Sequence, residues 1–396
     1  MLFGVYFHIP YCIQRCTYCD FATYEQSQIL PPDSYTQLVI KEIALKKRLF
    51  LGGSTTREIN TTYFGGGTPS LFSIENIVLL LEALSREGFY RSPDAELTIE
   101  INPGTVNERK LNQYLELGFN RFSLGAQTFN QNHLKRVHRE HSVEQTLESL
   151  DLFRRYKLNF NFDILFGLPF QNVEELKEDI LRAVCLGSTH ISPYYLTVPE
   201  GHPLSKNRPP EDAQISMFET IDRELTHSGY FRYELSNYAK PGFESKHNML
   251  YWTDQEYAGF GLSSHSYVKQ SFENSTPWGS RFWNPNNIKI YENEIREQSS
   301  QNDFCFISPK ELPKKYFEVL AENQSLTDFC HTSLRIARGI DLSQLEAKFS
   351  NTFYQQALSS FRKLTAGGLL IETPMGFSLS NNGKMISNFV FQKLTF

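Results

Sequence analysis

At 396 residues, 40% hydrophobic and 21% charged, the chain is long enough for two domains or one barrel with an appendage, and for a sizeable core. Its formal charge of −5 leaves no electrostatic footprint for nucleic acid. No stretch approaches the ~18 apolar residues of a membrane span, and the best run, Ile77 to Leu81, is cut by Glu82. The N-terminus has no basic region and enters a β-like run, Val5-Tyr6-Phe7-His8, at once, so no signal peptide is expected. The expected compartment is the reducing cytoplasm, where cysteines are metal ligands or catalytic thiols more often than disulfides.

Short β-branched or aromatic runs alternate with helical periodicities through the first half. The strands expected are Val5–His8, Thr61–Phe64, Leu97–Ile101, Arg121–Leu124, Phe160–Leu165 and Ile191–Leu196. Between them, Asp33 to Leu51 repeats apolar residues at helical spacing, Asn107 can cap a helix, and Ser142 with Gln145 reads as a capping box. Val173 to Leu186 reads as a further helix, ended by Gly187. Such alternation implies a parallel sheet with right-handed crossovers. The fold class expected is α/β: a partial (β/α)6 barrel with a C-terminal α+β winged-helix-like domain. Chemistry in such a barrel gathers at the C-terminal ends of the strands.

After Leu196 four prolines mark a loop-rich passage, followed by a helix near Ala213–Ser228 and an aromatic region from Tyr230 to Asn287. From roughly Pro309 helices (Leu342–Phe349, Tyr354–Ala366) precede a short β pair, Leu369–Glu372 with Gly376–Leu379. The expected units are a barrel over 1–235, a linking region over 236–308 and the C-terminal domain over 309–396.

Cys12, Cys16 and Cys19 form C-x3-C-x2-C in a loop just after the first strand. Thiolates ligate iron–sulfur clusters, and a cubane offers four irons. Three cysteines hold three irons and leave the fourth open to a small molecule. The competing reading is structural zinc, which wants four protein ligands. Cys185, Cys305 and Cys330 are distant in sequence, and His8 lies on the preceding strand.

Tyr6-Phe7-His8-Ile9-Pro10-Tyr11-Cys12, with Cys16, Tyr18 and Cys19, resembles the opening of the porphyrin branch of radical S-adenosylmethionine (SAM) proteins. That branch holds anaerobic coproporphyrinogen III oxidases and haem chaperones, and the resemblance runs along nearly the whole chain. It implies a [4Fe-4S] cluster on the three cysteines, with SAM on the open iron through its amine and carboxylate. Reductive cleavage of SAM would then give a 5′-deoxyadenosyl radical. Tyr6 and Tyr18 join the SAM-binding set on the same resemblance.

Further SAM-binding residues are expected after the later strands. Gly66, Gly67 and Thr68, in Gly65-Gly66-Gly67-Thr68-Pro69-Ser70, are expected to bring backbone N–H groups close to the methionine end of SAM. Glu100 matches a family residue that would pair with the sulfonium or ammonium. Gln127 and Asp163 suit hydrogen bonds to ribose hydroxyls, and Arg139 would pair with the SAM carboxylate as a charge-assisted fork. The chain departs from the family beside Arg139, where a usual glycine has become His138. Phe166-Gly167-Leu168-Pro169 reads as a strand-to-helix turn.

Three features separate the two arms of the branch. The oxidases carry one further cysteine where this chain has Phe21, and an N-terminal extension for which eleven residues before Cys12 leave no room. The third feature is His247-Asn248-Met249-Leu250-Tyr251-Trp252, which matches the H-N-x-x-Y-W signature of the chaperones. The resemblance links it to haem: imidazole is a standard haem ligand, and Tyr251 and Trp252 could stack on a porphyrin. Most other aromatics are read as core, Phe160, Phe162 and Phe166 among them. Gly259-Phe260-Gly261 and His265-Ser266 also resemble family positions and are read as structural. The expected partners are haem as cargo and haem-accepting proteins, with peripheral membrane contact compatible but no basic amphipathic helix compelling it. SAM cleavage is open, and the enzyme alternative is oxygen-independent coproporphyrinogen III oxidase, which decarboxylates propionates to vinyls.

Overall fold

The computed structural model describes residues 2–269, 278–299, 305–306, 308 and 311–396. Residue 309, the expected start of the C-terminal unit, lies outside them. The chain enters at β1 (Phe3–Ile9), and a small ladder of β2 (Tyr11–Cys12) with β3 (Tyr24–Glu25) brackets the cysteine loop. Then α1 (Pro32–Leu51) leads to β4 (Arg57–Gly66), and α2 (Ile74–Arg86) to β5 (Phe89–Ile101). Next α3 (Glu108–Glu116) leads to β6 (Arg121–Gln127), and α4 (Gln131–Arg136) and α5 (Val143–Arg155) to β7 (Phe160–Phe166). The last repeat is α6 (Val173–Cys185) with β8 (His190–Tyr195). The six strands β1 and β4 to β8 pair in parallel in chain order. The expected caps are present on α3, where Asn107 accepts from the Lys110 amide, and on α5, where Ser142 and Gln145 form the capping box.

Period-2 alternation sorts the side chains of these strands into two layers. From β1, Val5, Phe7 and Ile9 join the core beneath the helices, where they meet Leu38, Ile43 and Leu49 of α1. Each such fully buried side chain contributes about 1.5–3 kcal/mol. The intervening Tyr6 and His8 point the other way, into the barrel. Tyr194 shows what lies there: it is 43% exposed and lines an internal cavity.

After α7 (Glu211–His227) come β9 (Phe231–Arg232), β10 (Tyr238–Ala239), α8 (Lys246–Trp252), β11 (Glu256–Phe260), β12 (His265–Val268), β13 (Ser280–Trp283), α9 (Ile288–Ser299) and β14 (Phe317–Val319). Most of this stretch, read from sequence as a linking region, extends the main sheet at both edges. The strand order is β14-β13-β12-β11-β1-β4-β5-β6-β7-β8-β10-β9, with β11 parallel to β1. The rest is α10 (Glu322–Arg335), β15 (Ile340–Asp341), α11 (Leu342–Lys348), α12 (Asn351–Ala366), β16 (Leu370–Thr373), β17 (Gly376–Leu379), α13 (Asn381–Met385) and α14 (Ser387–Gln392). Helices α10, α11, α12 and α14 and an antiparallel sheet of order β15-β17-β16 surround a separate core that includes Leu326, Leu345, Phe361, Phe377 and Val390. This is the winged-helix-like domain. Among the described residues no helix is long and apolar enough to cross a membrane.

Candidate functional site

A cavity of about 480 Å³ opens at the C-terminal ends of the barrel strands. Its wall holds all three cysteines of the first motif. Eight of the nine residues expected to bind SAM also line it: Tyr18, Gly66, Gly67, Thr68, Glu100, Gln127, Arg139 and Asp163. The ninth, Tyr6, lies behind the wall. Its hydroxyl is 3.2 Å from His8 Nδ1 and its ring stacks on Tyr63 at 6.1 Å.

His8 explains the posture of the cysteine loop. Its Nε2 lies 2.9 Å from the carbonyl of Ala22, three residues past Cys19. Both ring nitrogens are therefore engaged, and burial lowers the imidazole pKa to about 4. His8 is a strut for the loop and not a fourth metal ligand. A Cβ on Gly66 would stand 2.7 Å from His8 Cε1, and the Gly66 φ of +115° favours glycine as well. A Cβ on Gly67 would meet the Tyr11 carbonyl at 2.6 Å. These glycines let β4 close against the cysteine loop.

The amides here do not turn toward the cavity. Gly66 N–H donates to Glu100 Oε2 (3.0 Å), Gly67 N–H to the Ile9 carbonyl (2.8 Å) and Thr68 N–H to the Tyr11 carbonyl (2.7 Å). The expectation that they present N–H groups to a ligand is corrected on that ground: each donor is already spent.

The charged groups are arranged unevenly. Glu100 accepts from Tyr63 Oη at 2.8 Å, and burial, aided by the nearby Asp163 charge, raises its pKa to about 7. Burial likewise lifts Asp163 to about 6, against hydrogen bonds from Asn161 and the pull of Arg139. Asn161 Nδ2 donates to Asp163 Oδ1 at 2.7 Å. Burial also pushes the Cys12 thiol up to about 11 and raises that of Cys19. Two acids held partly neutral mark a pocket that a cationic ligand would stabilise. Arg139 donates through Nη2 to Asn102 Oδ1 (2.9 Å) and to the Gly125 carbonyl, and through Nη1 to Cys16 Sγ (3.5 Å). Its Nε is buried without a partner, and the guanidinium charge at the cavity wall suits a carboxylate.

Two of the seven non-glycine residues with left-handed backbone among the described residues lie beside the cavity. Gln127 has φ +71°, and the β6–β7 register shifts between Leu124 and Gln127. Such bulges re-aim a side chain, here toward the cavity. His138 has φ +57°, so the chain keeps the left-handed turn that the family's glycine would adopt. Tyr63 and Asn102 were not singled out from sequence. Asn102 Nδ2 donates to Thr68 Oγ1 (2.9 Å) and its Oδ1 accepts from Arg139, so it ties two wall residues together. Strand alternation from Glu100 was the available signal, since Asn102 shares its face.

The second motif lies elsewhere. His247, Tyr251 and Trp252 sit on α8, started by Ser245, whose hydroxyl accepts from the Asn248 amide at 3.2 Å. His247 lies against Gly4 at the start of β1, five residues before the Ile9–Gly66 pairing at the cavity. At about 3.3 Å per residue, this is roughly 16 Å down the barrel. His247 is 1% exposed, its Nδ1 is 2.7 Å from Thr61 Oγ1 and its Nε2 is 2.8 Å from Tyr251 Oη. Burial lowers its pKa to about 3. The ring stacks on Tyr63 at 5.1 Å, the same tyrosine that holds Glu100. Trp252 faces the C-terminal domain, with the Arg335 guanidinium 4.5 Å over its ring. His247 and Tyr251 of the expected haem-associated trio thus form the floor of the barrel, Trp252 turns to the C-terminal domain, and His247 in this arrangement has no lone pair to offer iron.

The site suits the implied cofactors. Among the described residues no three His, Cys, Asp or Glu side chains converge on a single ion position. A cubane needs no such convergence, because each thiolate takes a different iron.

Comparison with known proteins agrees with this geometry. The Radical SAM superfamily matches residues 6–183. The Escherichia coli haem chaperone HemW is 38% identical over 67% of this chain and 70% of its own. HemW of Lactococcus lactis is 30% identical over 98% and 96% respectively. The solved Escherichia coli coproporphyrinogen III oxidase (HemN), a radical SAM enzyme, matches with a TM-score of 0.80 over 100% of this chain and 90% of that one. Its 22% identity speaks to fold alone. The chain belongs to the HemW haem-chaperone family of radical SAM proteins.

Proposed function

We propose that this chain is a cytoplasmic haem carrier: it binds a [4Fe-4S] cluster, SAM and haem, and hands haem to proteins that require it. The observation that carries the cofactor half is the single cavity in which three thiols, two acids of raised pKa and the guanidinium of Arg139 meet. Cys12, Cys16 and Cys19 would hold the cluster. The two acids answer the positive charges of SAM, and Arg139 its carboxylate. With their amides spent, Gly66 and Gly67 offer carbonyl oxygens, acceptors suited to an ammonium. Bound cluster and SAM together supply one-electron reductive cleavage. Gln127 and Asp163 would orient the ribose, and Tyr18 would close the rim beside Arg139. The haem half is supported by the HemW relatives.

The test is transfer. Anaerobically reconstituted chain loaded with haem should pass it to an apo-haem protein, and the acceptor's absorption should grow as the carrier's falls. A chain that takes up no haem in any cluster state would overturn the reading. Formation of protoporphyrinogen from coproporphyrinogen III in step with 5′-deoxyadenosine would replace it with the oxidase.

A further inference from the structure

Asp163 serves ribose hydroxyls only as an oriented acceptor, and a row of buried side chains does the orienting. β7 and β8 pair Asn161 with His190 and Asp163 with Ser192, so these four share the inner face of the barrel. Asn161 spends its whole amide there. Its Nδ2 donates to Asp163 Oδ1 (2.7 Å) and to Ser123 Oγ (2.9 Å). Its Oδ1 accepts from Ser192 Oγ (2.9 Å) and lies 2.6 Å from His190 Nδ1. Behind them His190 Nε2 is 2.8 Å from Tyr233 Oη, which also accepts from the Ser245 amide at 3.4 Å. Ser245 is the cap of α8, and Asn161, His190 and Tyr233 are all buried.

With Asp163 ionised, these contacts admit one arrangement of protons. His190 is neutral, because burial and the nearby Arg121 charge hold its pKa well below the ordinary value. A neutral imidazole has one donor and one acceptor nitrogen, and the partners decide which is which. The Asn161 carbonyl facing Nδ1 requires the hydrogen there, which leaves Nε2 to accept from the Tyr233 hydroxyl. Every donor in the row then points toward Asp163, and hydrogen bonds in such a chain strengthen one another. With the hydrogen on Nε2 instead, facing lone pairs would turn the Asn161 amide over. Its carbonyl would then stand against the Asp163 carboxylate.

We propose that His190 is a positioning residue for SAM: in its Nδ1–H form it locks the Asn161 amide toward Asp163 and so presents that carboxylate to the ribose hydroxyls. Tyr233 and the start of α8 fix this form from behind, which ties the helix that carries His247 to the SAM cavity. The inference rests on the SAM-binding reading.

The experiment has two arms, both on the full chain. Imidazole nitrogen NMR, with His190 assigned by the signal that His190→Asn removes, should show the Nδ1–H form. An Nε2–H form would overturn the inference. In the second arm, equilibrium dialysis of the reconstituted chain compares SAM with its 2′,3′-dideoxyribose analogue. His190→Leu should cut the preference for SAM about tenfold. His190→Asn, which can keep a donor at the Nδ1 position, should restore most of it. Tyr233→Phe, which removes only a hydroxyl, should cut the preference about threefold. A merely structural role would weaken both ligands alike, so an unchanged preference in His190→Leu and Tyr233→Phe would overturn the inference alone. A wild type that binds no SAM would remove the SAM-binding reading and this inference together.

Discussion

At the mouth of the barrel polar groups are left wanting. Glu100 and Asp163 are held partly neutral, Arg139 Nε has no acceptor, and Gln127 sits in strained backbone. At the floor His247 is satisfied, with Thr61 and Tyr251 as ring partners and its amide donating to Glu96 Oε1 at 3.0 Å, while Trp252 Nε1 beside it is buried without a partner. A fold tolerates unsatisfied buried groups where a ligand completes them.

The largest expected effect that separates the two ends is on stability. His247→Ala removes a buried ring and strands Thr61 and Tyr251, so urea denaturation should show a loss of about 2–4 kcal/mol. A variant as stable as wild type would mean that the floor is not the structural element described here. At the mouth the order reverses. Glu100→Gln should weaken SAM binding about 10–100-fold, read by equilibrium dialysis of the reconstituted chain, because a charge-assisted contact is lost. The same change should stabilise the ligand-free chain by about 1–3 kcal/mol above pH 7, since a buried carboxylate with a pKa about 7 is costly to ionise. Loss of both affinity and stability would place Glu100 in the structural class instead.

pH sharpens the same contrast. Glu100 has a folded pKa of about 7, above its ordinary 4.5, so the folded state binds more protons than the unfolded one between these values. Its contribution to stability is therefore greatest below pH 4.5 and declines as pH rises toward 7. SAM affinity should move oppositely, falling about tenfold from pH 8 to pH 6 as the carboxylate is neutralised. A flat profile would show that Glu100 does not meet the cation.

Much of this was legible in the sequence, for identifiable reasons. The six barrel strands and their caps followed from periodicity, which local chemistry sets. The cysteine spacing and the strand-end polar residues marked the mouth, because a ligand site at strand ends is local to each strand. The sheet extension was not legible: β10, β12 and β13 are only two to four residues long, too short for a period to register. The floor was hidden for a different reason. His247 and Thr61 are 186 residues apart in the chain, and nothing near His247 says that its nitrogens are spent. Ser245 before the motif was a visible helix start that the ligand-like pattern obscured. His138 shows the converse, a sequence departure that left the backbone unchanged. Its left-handed φ costs a non-glycine residue about 1 kcal/mol, so His138→Gly should raise stability by about that amount in thermal unfolding. This is the smallest of the expected effects, and a destabilised variant would mean the side chain has a contact of its own.

The central claim is that SAM completes the mouth by binding the open iron of a cluster on Cys12, Cys16 and Cys19. Electron paramagnetic resonance of the reconstituted, reduced chain, with and without SAM, tests it most directly. The account expects a cluster signal that shifts on adding SAM, a weaker SAM response in Glu100→Gln, and no cluster signal in Cys12→Ser. A wild-type cluster spectrum that SAM leaves unchanged would contradict it.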